Sequence, residues 1–251
     1  MSNAEKAGTF EIRKVLSKSV NVLKKHYLSI ALLCVLMFLV SNFSGFLASY
    51  FQSVNNIVNS FLAFCFILLY SLIGLSLFKV VLSILDKEVK GGYSGYLPTT
   101  RELLRYLTAV FLIFLISLLI LAGTSLVCLP FVYLGGKIGT VVGLSIILSA
   151  LLTFLFFLRV AFYPFFILDR EKTALQAIQQ SYMITKGNMI KLFSMVIVFV
   201  FIHLLQAYAS IRLNVYMSGV ISVLNAFFVT PLYVVTVTVI YRQMITKTKE
   251  F

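Results

Sequence analysis

The chain alternates between long uncharged apolar runs and short polar stretches whose apolar positions recur at helical spacing. The apolar runs occupy about residues 29–50, 58–85, 106–129, 138–168, 189–211 and 218–241. Each reaches the ~20 residues that a helix needs to cross the hydrocarbon core of a bilayer. None shows the strict alternation of a lipid-facing barrel strand, and in lipid a helix is the other backbone form that satisfies all its own polar groups. The pattern predicts an all-α integral membrane protein with six transmembrane helices.

The polar stretches are organised too. "REKTALQAIQQSYMITKGNM" (Arg170 to Met189) sits between two apolar runs. Thr173 with Gln176 three residues later forms a capping box, and Gly187 supplies a helix stop. Ala174, Leu175, Ile178, Tyr182 and Thr185 recur on one side while Gln176, Gln179 and Gln180 face elsewhere, as in an interfacial amphipathic helix. "EIRKVLSKSVNVLKKHY" before the first run has the same character, with Ile12, Val15, Leu16, Val22 and Leu23 opposite Glu11, Lys14, Lys18, Asn21 and Lys25. "PTTRELLRYL" before the third run offers Thr99 and Glu102 as another capping box. Aligning Leu16 with Ile178 also aligns Ser19 with Ser181 and Lys24 with Lys186. The expected organisation is three repeats of an amphipathic surface helix plus a transmembrane hairpin within one membrane domain, 1–251. Residues 1–28 form the N-terminal surface helix, 29–90 hairpin 1, 91–168 the second surface helix and hairpin 2, and 169–251 the third surface helix and hairpin 3.

Composition agrees, since 61% of the 251 residues are hydrophobic and only 12% charged, with a mean hydropathy of +1.02, far from a soluble domain. The first ~25 residues are polar and the first apolar run is too long for a signal peptide, so the N terminus is expected to be retained. Charge then orients the spans. With a cytoplasmic N terminus, nineteen of the twenty-one basic residues fall on the inside and only Lys137 and Arg212 outside, so both termini are expected in the cytoplasm. The net charge of +13 is spread beside membrane spans with no nucleic-acid-binding motif, which points to a bilayer with anionic headgroups and away from nucleic acid. Lys24, Lys25, Arg101, Arg105, Lys186 and Lys191 are the candidate headgroup contacts in a basic cytoplasmic collar. Cys34, Cys65 and Cys128 are far apart in apolar runs, where they read as small buried hydrophobes.

"RVAFYPFFILDREKTALQAIQQSYMITKGNMIKLF" (Arg159 to Phe193) resembles the most recognisable segment of a bacterial six-span membrane-protein family. That family includes the membrane domain of some glycerophosphoryl diester phosphodiesterases and many stand-alone uncharacterised proteins. Arg159, Pro164, Asp169, Ala177, Ser181, Thr185, Lys186 and Gly187 match its pattern in order, whereas Tyr182 stands where the family usually has tryptophan. The resemblance implies architecture and a bacterial inner membrane. It does not bring the phosphodiesterase reaction, which resides in a separate soluble barrel.

Little reaction chemistry is legible. All eight acids lie in the expected cytoplasmic parts, which disfavours a carboxylate relay within the membrane. HExxH, Walker A, GxSxG and CxxC motifs are absent, so no enzyme, no metal and no cofactor is expected. Arg159, His203, Gln206 and Asn225 are polar residues within spans, and helix arithmetic allows all four to meet near mid-membrane, with Arg159 alternatively satisfied by carbonyls freed at Pro164 or Pro231. Gly135, Gly139 and Gly143 recur at every fourth position, as in closely packed membrane helices. The expected function is a non-catalytic membrane scaffold or accessory subunit with a protein partner in the membrane or cytoplasm. The rival is a small transporter or lipid-handling protein that uses the polar cluster, and a cavity joining those residues is the feature that separates the two.

Overall fold

The computed structural model describes residues 10–51, 56–86, 93–133, 135, 137–212 and 215–248. Among these residues the protein is helical throughout, and six helices are long and apolar enough to cross a membrane: Ile12–Phe51, Asn56–Asp86, Thr100–Cys128, Ile138–Arg170, Met189–Ala209 and Tyr216–Thr246. Parts of the expected outer loops "FQSVNN", "YLGGK" and "RLNVYM" lie outside the described residues. So do Glu5, Lys6, Lys87, Glu88, Lys90, Lys249, Glu250 and the side chain of Lys247.

The chain divides into two compact units, residues 1–103 with 190–251, and residues 104–189. In the first unit, α1 (Ile12–Phe51) packs against α2 (Asn56–Asp86) and α10 (Thr230–Thr248), with α8 (Met189–Arg212) and α9 (Val215–Leu224) completing it. Its core lies toward the basic ends of these helices, around Ile30, Cys34, Leu75, Leu77, Val81, Val235, Tyr241 and Met244. The opposite face of α1 exposes Leu28, Leu32, Leu36, Leu39, Phe43 and Phe46, an apolar stripe at helical spacing that belongs in lipid. Asp86 at the end of α2 pairs with Arg242 of α10.

α1 departs from helical geometry at His26, with φ −124° and ψ 26°, which separates the amphipathic stretch from the span. The second amphipathic stretch has no such break. Thr99 and Glu102 form their capping box, with Thr99 N donating to Glu102 Oε2 at 2.6 Å and Glu102 N to Thr99 Oγ1 at 3.3 Å, and α3 (Thr100–Cys128) then runs uninterrupted into the span. No glycine or proline stands there to stop it. The three amphipathic stretches are therefore a kinked extension, a continuous extension and a separate helix. Ser19 and Ser181, which the expected repeat would align, are both fully buried, yet Ser19 donates to Val15 O of its own helix while Ser181 reaches another helix.

The second unit holds most of α3, then α4 (Pro130–Tyr133), α5 (Ile138–Val160), α6 (Tyr163–Arg170) and α7 (Ala174–Thr185). Gly135 takes φ +90° in the turn before α5, a conformation that suits glycine. Gly135, Gly139 and Gly143 do not mark a close helix approach: no described atom lies within 4 Å of where their Cβ would stand. Cys34 and Cys128 are buried, but Cys65 is exposed on α2.

Candidate functional site

Two polar joints are built around the two prolines that interrupt long helices. In the second unit the interruption follows from Pro164, whose missing N–H ends α5 at Val160 and restarts the chain as α6. α5 alone has 23 residues, or about 34 Å at ~1.5 Å per residue, enough to span a bilayer by itself. α7 folds back along α6 and carries its C-terminal end to the break. There Ser181 Oγ accepts from Phe162 N at 3.0 Å and donates to Arg159 O at 2.9 Å. Thr185 Oγ1 lies 3.2 Å from the same carbonyl, and its single proton is shared with Ser181 O and Tyr182 O of its own helix.

The remaining motif residues lock this joint. Arg159 places its guanidinium 4.7 Å from the centre of the Tyr182 ring, so an aromatic residue at that position is the partner of the arginine, and tryptophan would serve the same cation–π role. Gly187 takes φ +88° and terminates α7, with Lys186 N donating to Met183 O and Asn188 N to Thr185 O. Gln176 Oε1 accepts from Thr173 N at 3.4 Å at the other end of α7. Asp169 lies in the last turn of α6. Glu171, the non-glycine residue with positive φ among the described ones (φ 50°), makes the turn from α6 to α7, and Arg105 donates to its carbonyl.

This corrects one sequence expectation. The face that α7 buries is Ala174, Ala177, Ile178, Ser181 and Thr185, while Leu175 and Tyr182 are exposed, because the small and hydroxylated residues are the ones that fit against the interrupted helix. Within the second unit the Arg159 side chain is engaged by Tyr182, while His203, Gln206 and Asn225 belong to the first unit.

In the first unit the interruption is a π-helical segment, Asn225–Val229, between α9 and α10. Thr230 N bonds to Asn225 O across the widened turn, and Pro231 deprives Phe227 O of the N–H that would meet it in an α-helix. Tyr27 of α1 supplies the missing donor, its hydroxyl 2.9 Å from Phe227 O. The wide turn also sets Asn225 against α8. Asn225 Nδ2 donates to Gln206 Oε1 and lies 3.5 Å from His203 Nδ1, and Gln206 Nε2 donates to Ser222 Oγ at 3.3 Å. His203 and Gln206 on α8 and Ser222 and Asn225 opposite are both i, i+3 pairs, so two short polar ridges meet face to face. Asn225 Oδ1 is buried and has no hydrogen-bond partner.

That orphan oxygen belongs to a residue lining a cavity of about 380 Å³, walled also by Asn42 and Ser41 of α1, Tyr70 of α2 and Thr230 of α10. At ~1.5 Å per residue, Asn42 stands about 24 Å along α1 from His26, Tyr70 about 24 Å along α2 from Asp86, and His203 about 21 Å along α8 from Met189. Three helices therefore bring polar groups to one level, within the span of a ~30 Å hydrocarbon core. Sequence reasoning missed Asn42, Tyr70, Ser222 and Thr230. Asn42, in "VSNFS", carried a visible signal as an amide inside an apolar run.

The basic residues divide. Lys24, Lys25, Arg101 and Lys186 are exposed. Arg105 is spent on Glu171 O, and Lys191 on Phe10 O at 2.9 Å with its ammonium 5.9 Å from the fully buried Phe10 ring. Lys79 pairs with Glu102 at 2.8 Å with both side chains nearly buried, and it also donates to Leu97 O. No His, Cys, Asp and Glu group suited to hold a metal occurs among the described residues.

Fold and site together define a multi-pass, all-helical membrane protein with a polar cavity in one of its two units. Neither protein-family models, nor curated proteins, nor solved structures give a match to the chain.

Proposed function

We propose that this protein binds a small polar group within the membrane, as a lipid-handling protein or small transporter, in the cavity formed by His203, Gln206 and Asn225. The observation that carries the reading is the buried, unpartnered Oδ1 of Asn225 at a cavity of about 380 Å³. Polar side chains at membrane depth are costly and often mark functional sites. Here the ridge from His203 to Ser222 leaves an acceptor over, beside a space in the size range of ligand pockets. The lining offers amides, hydroxyls and one imidazole, a set that holds and orients a guest through hydrogen bonds. The positive-inside bias and the resemblance of Arg159–Phe193 support a bacterial cytoplasmic membrane with both termini inside.

Native mass spectrometry of the gently solubilised protein tests the reading. Wild type is expected to retain a small-molecule or lipid adduct that Asn225→Leu loses while remaining folded. Identical adducts in both would reduce the cavity to a packing defect and leave the scaffold function in its place.

A further inference from the structure

The polar cavity has a neighbour. A second cavity of about 370 Å³ lies between α1 and α2, against Val40, Gly45, Leu62, Ala63 and Phe66, and the two share Ser41 and Tyr70 as lining. One compartment is rich in amide and hydroxyl groups, while the other is the more apolar, with Ser44, Asn59 and Ser71 beside its aliphatic and aromatic lining. Gly45 borders open space, since the position of a Cβ there has no atom within 4 Å. A water-soluble solute has no use for the apolar compartment. A molecule with a polar head and a hydrocarbon chain fills both.

The head is constrained by what the walls lack. Among the residues lining either cavity there is no carboxylate, ammonium or guanidinium, and the one imidazole, His203, turns its Nδ1 to the Asn225 amide N–H at 3.5 Å. Burying a charged headgroup without a counter-charge is costly, whereas hydroxyls are satisfied by the Asn225 acceptor and by side-chain amides. Resting on the function proposed above, we infer that the ligand is a membrane lipid with an uncharged, hydroxyl-bearing headgroup of the acylglycerol type. Its head lies against Gln206 and Asn225, and its chain lies in the α1–α2 groove. Entry is lateral from the bilayer, past the exposed Ile67 on the groove's rim.

The chain has no tryptophan, so Phe66→Trp installs a single fluorophore in the chain compartment. In phosphatidylcholine nanodiscs doped with brominated monoacylglycerol, brominated phosphatidylglycerol or brominated phosphatidylcholine, the monoacylglycerol is expected to quench this residue at a several-fold lower mole fraction than the other two. Leu39→Trp, on the outward stripe of α1, should be quenched equally by all three. Asn225→Leu, which removes the head contact, and Gly45→Leu, which fills the groove, should each abolish the preference. Leu62→Trp replaces Phe66→Trp as reporter if the latter does not fold. Equal quenching at residue 66 by all three lipids, or preference for the phosphatidylglycerol, overturns the inference. If that happens while an adduct sensitive to Asn225→Leu persists in native mass spectra, the cavity binds another guest and the functional reading stands. If the adduct is also absent, both fall.

Discussion

The hydroxyl of Tyr27 donates to the carbonyl oxygen of Phe227, two hundred residues away, at the one turn where Pro231 has removed that carbonyl's own helical donor. The bond ties α1 to the π-helical segment that positions Asn225, so the integrity of the polar cavity depends on a tyrosine that does not line it. Tyr27→Phe is expected to leave Phe227 O unpaired and lower stability by about 1–3 kcal/mol. Restoring the N–H with Pro231→Ala should make the same Tyr27→Phe change nearly neutral. Apparent melting temperatures of the four members of this double-mutant cycle measure the coupling, and additive effects would contradict the assignment.

At the other interruption, Ser181 serves Phe162 N–H and Arg159 C=O at once, whereas Thr185 shares one proton among three carbonyls. Ser181→Ala should therefore destabilise the second unit by roughly 1–3 kcal/mol, and Thr185→Val by less. Thermal unfolding, together with protease cleavage at residues 161–162, reports the difference. Equal effects would show that the carbonyl contact dominates over the amide.

The pair Lys79 and Glu102 has an ordered response. Lys79→Met strands a nearly buried carboxylate and is expected to cost several kcal/mol, on the order of the ~3–5 seen when one member of a buried pair is removed. Glu102→Gln leaves the capping acceptor for Thr99 in place but strands Lys79, whose ammonium keeps its bond to Leu97 O, so its cost is smaller. Reversal of that order in melting experiments would assign the stabilisation to the cap alone.

Lys186 and Lys191 separate structural anchoring from lipid contact. Lys191→Gln should release Phe10 and raise protease sensitivity of the N-terminal segment, because its ammonium holds Phe10 O. Lys186→Gln should leave stability unchanged and reduce copurifying anionic phospholipid, since Lys186 is exposed. An unaltered lipid profile for Lys186→Gln would leave that residue as a topology signal.

For orientation, a cysteine introduced near Lys247 should react with an impermeant thiol reagent only from the cytoplasmic side, and one near Arg212 only from outside. The opposite labelling would invert the proposed topology.

Features that depend on a few adjacent residues were legible in the sequence. Six spans follow from run length, the capping boxes at Thr99 and Thr173 from residue type at fixed spacing, and the end of α7 from the conformational freedom of Gly187. The partnership of His203, Gln206 and Asn225 was legible as well, because i, i+3 spacing and similar depth leave few alternatives for amides in lipid. The tertiary structure decided how each helix is rotated and which neighbour it meets. Lipid-facing and core-facing positions of a membrane helix are both apolar, so the pattern gives no contrast to orient it. For that reason the sequence could say that Pro164 and Pro231 orphan backbone groups but not that Ser181 and Tyr27 answer at these breaks. It allowed Arg159 to meet Asn225 or to take proline-freed carbonyls but did not name Tyr182 as its partner, and it took Gly139 and Gly143 for a close packing face, where no described atom lies within 4 Å of a Cβ position. Packing supplies each of those partners, and packing is set by the whole set of helices at once.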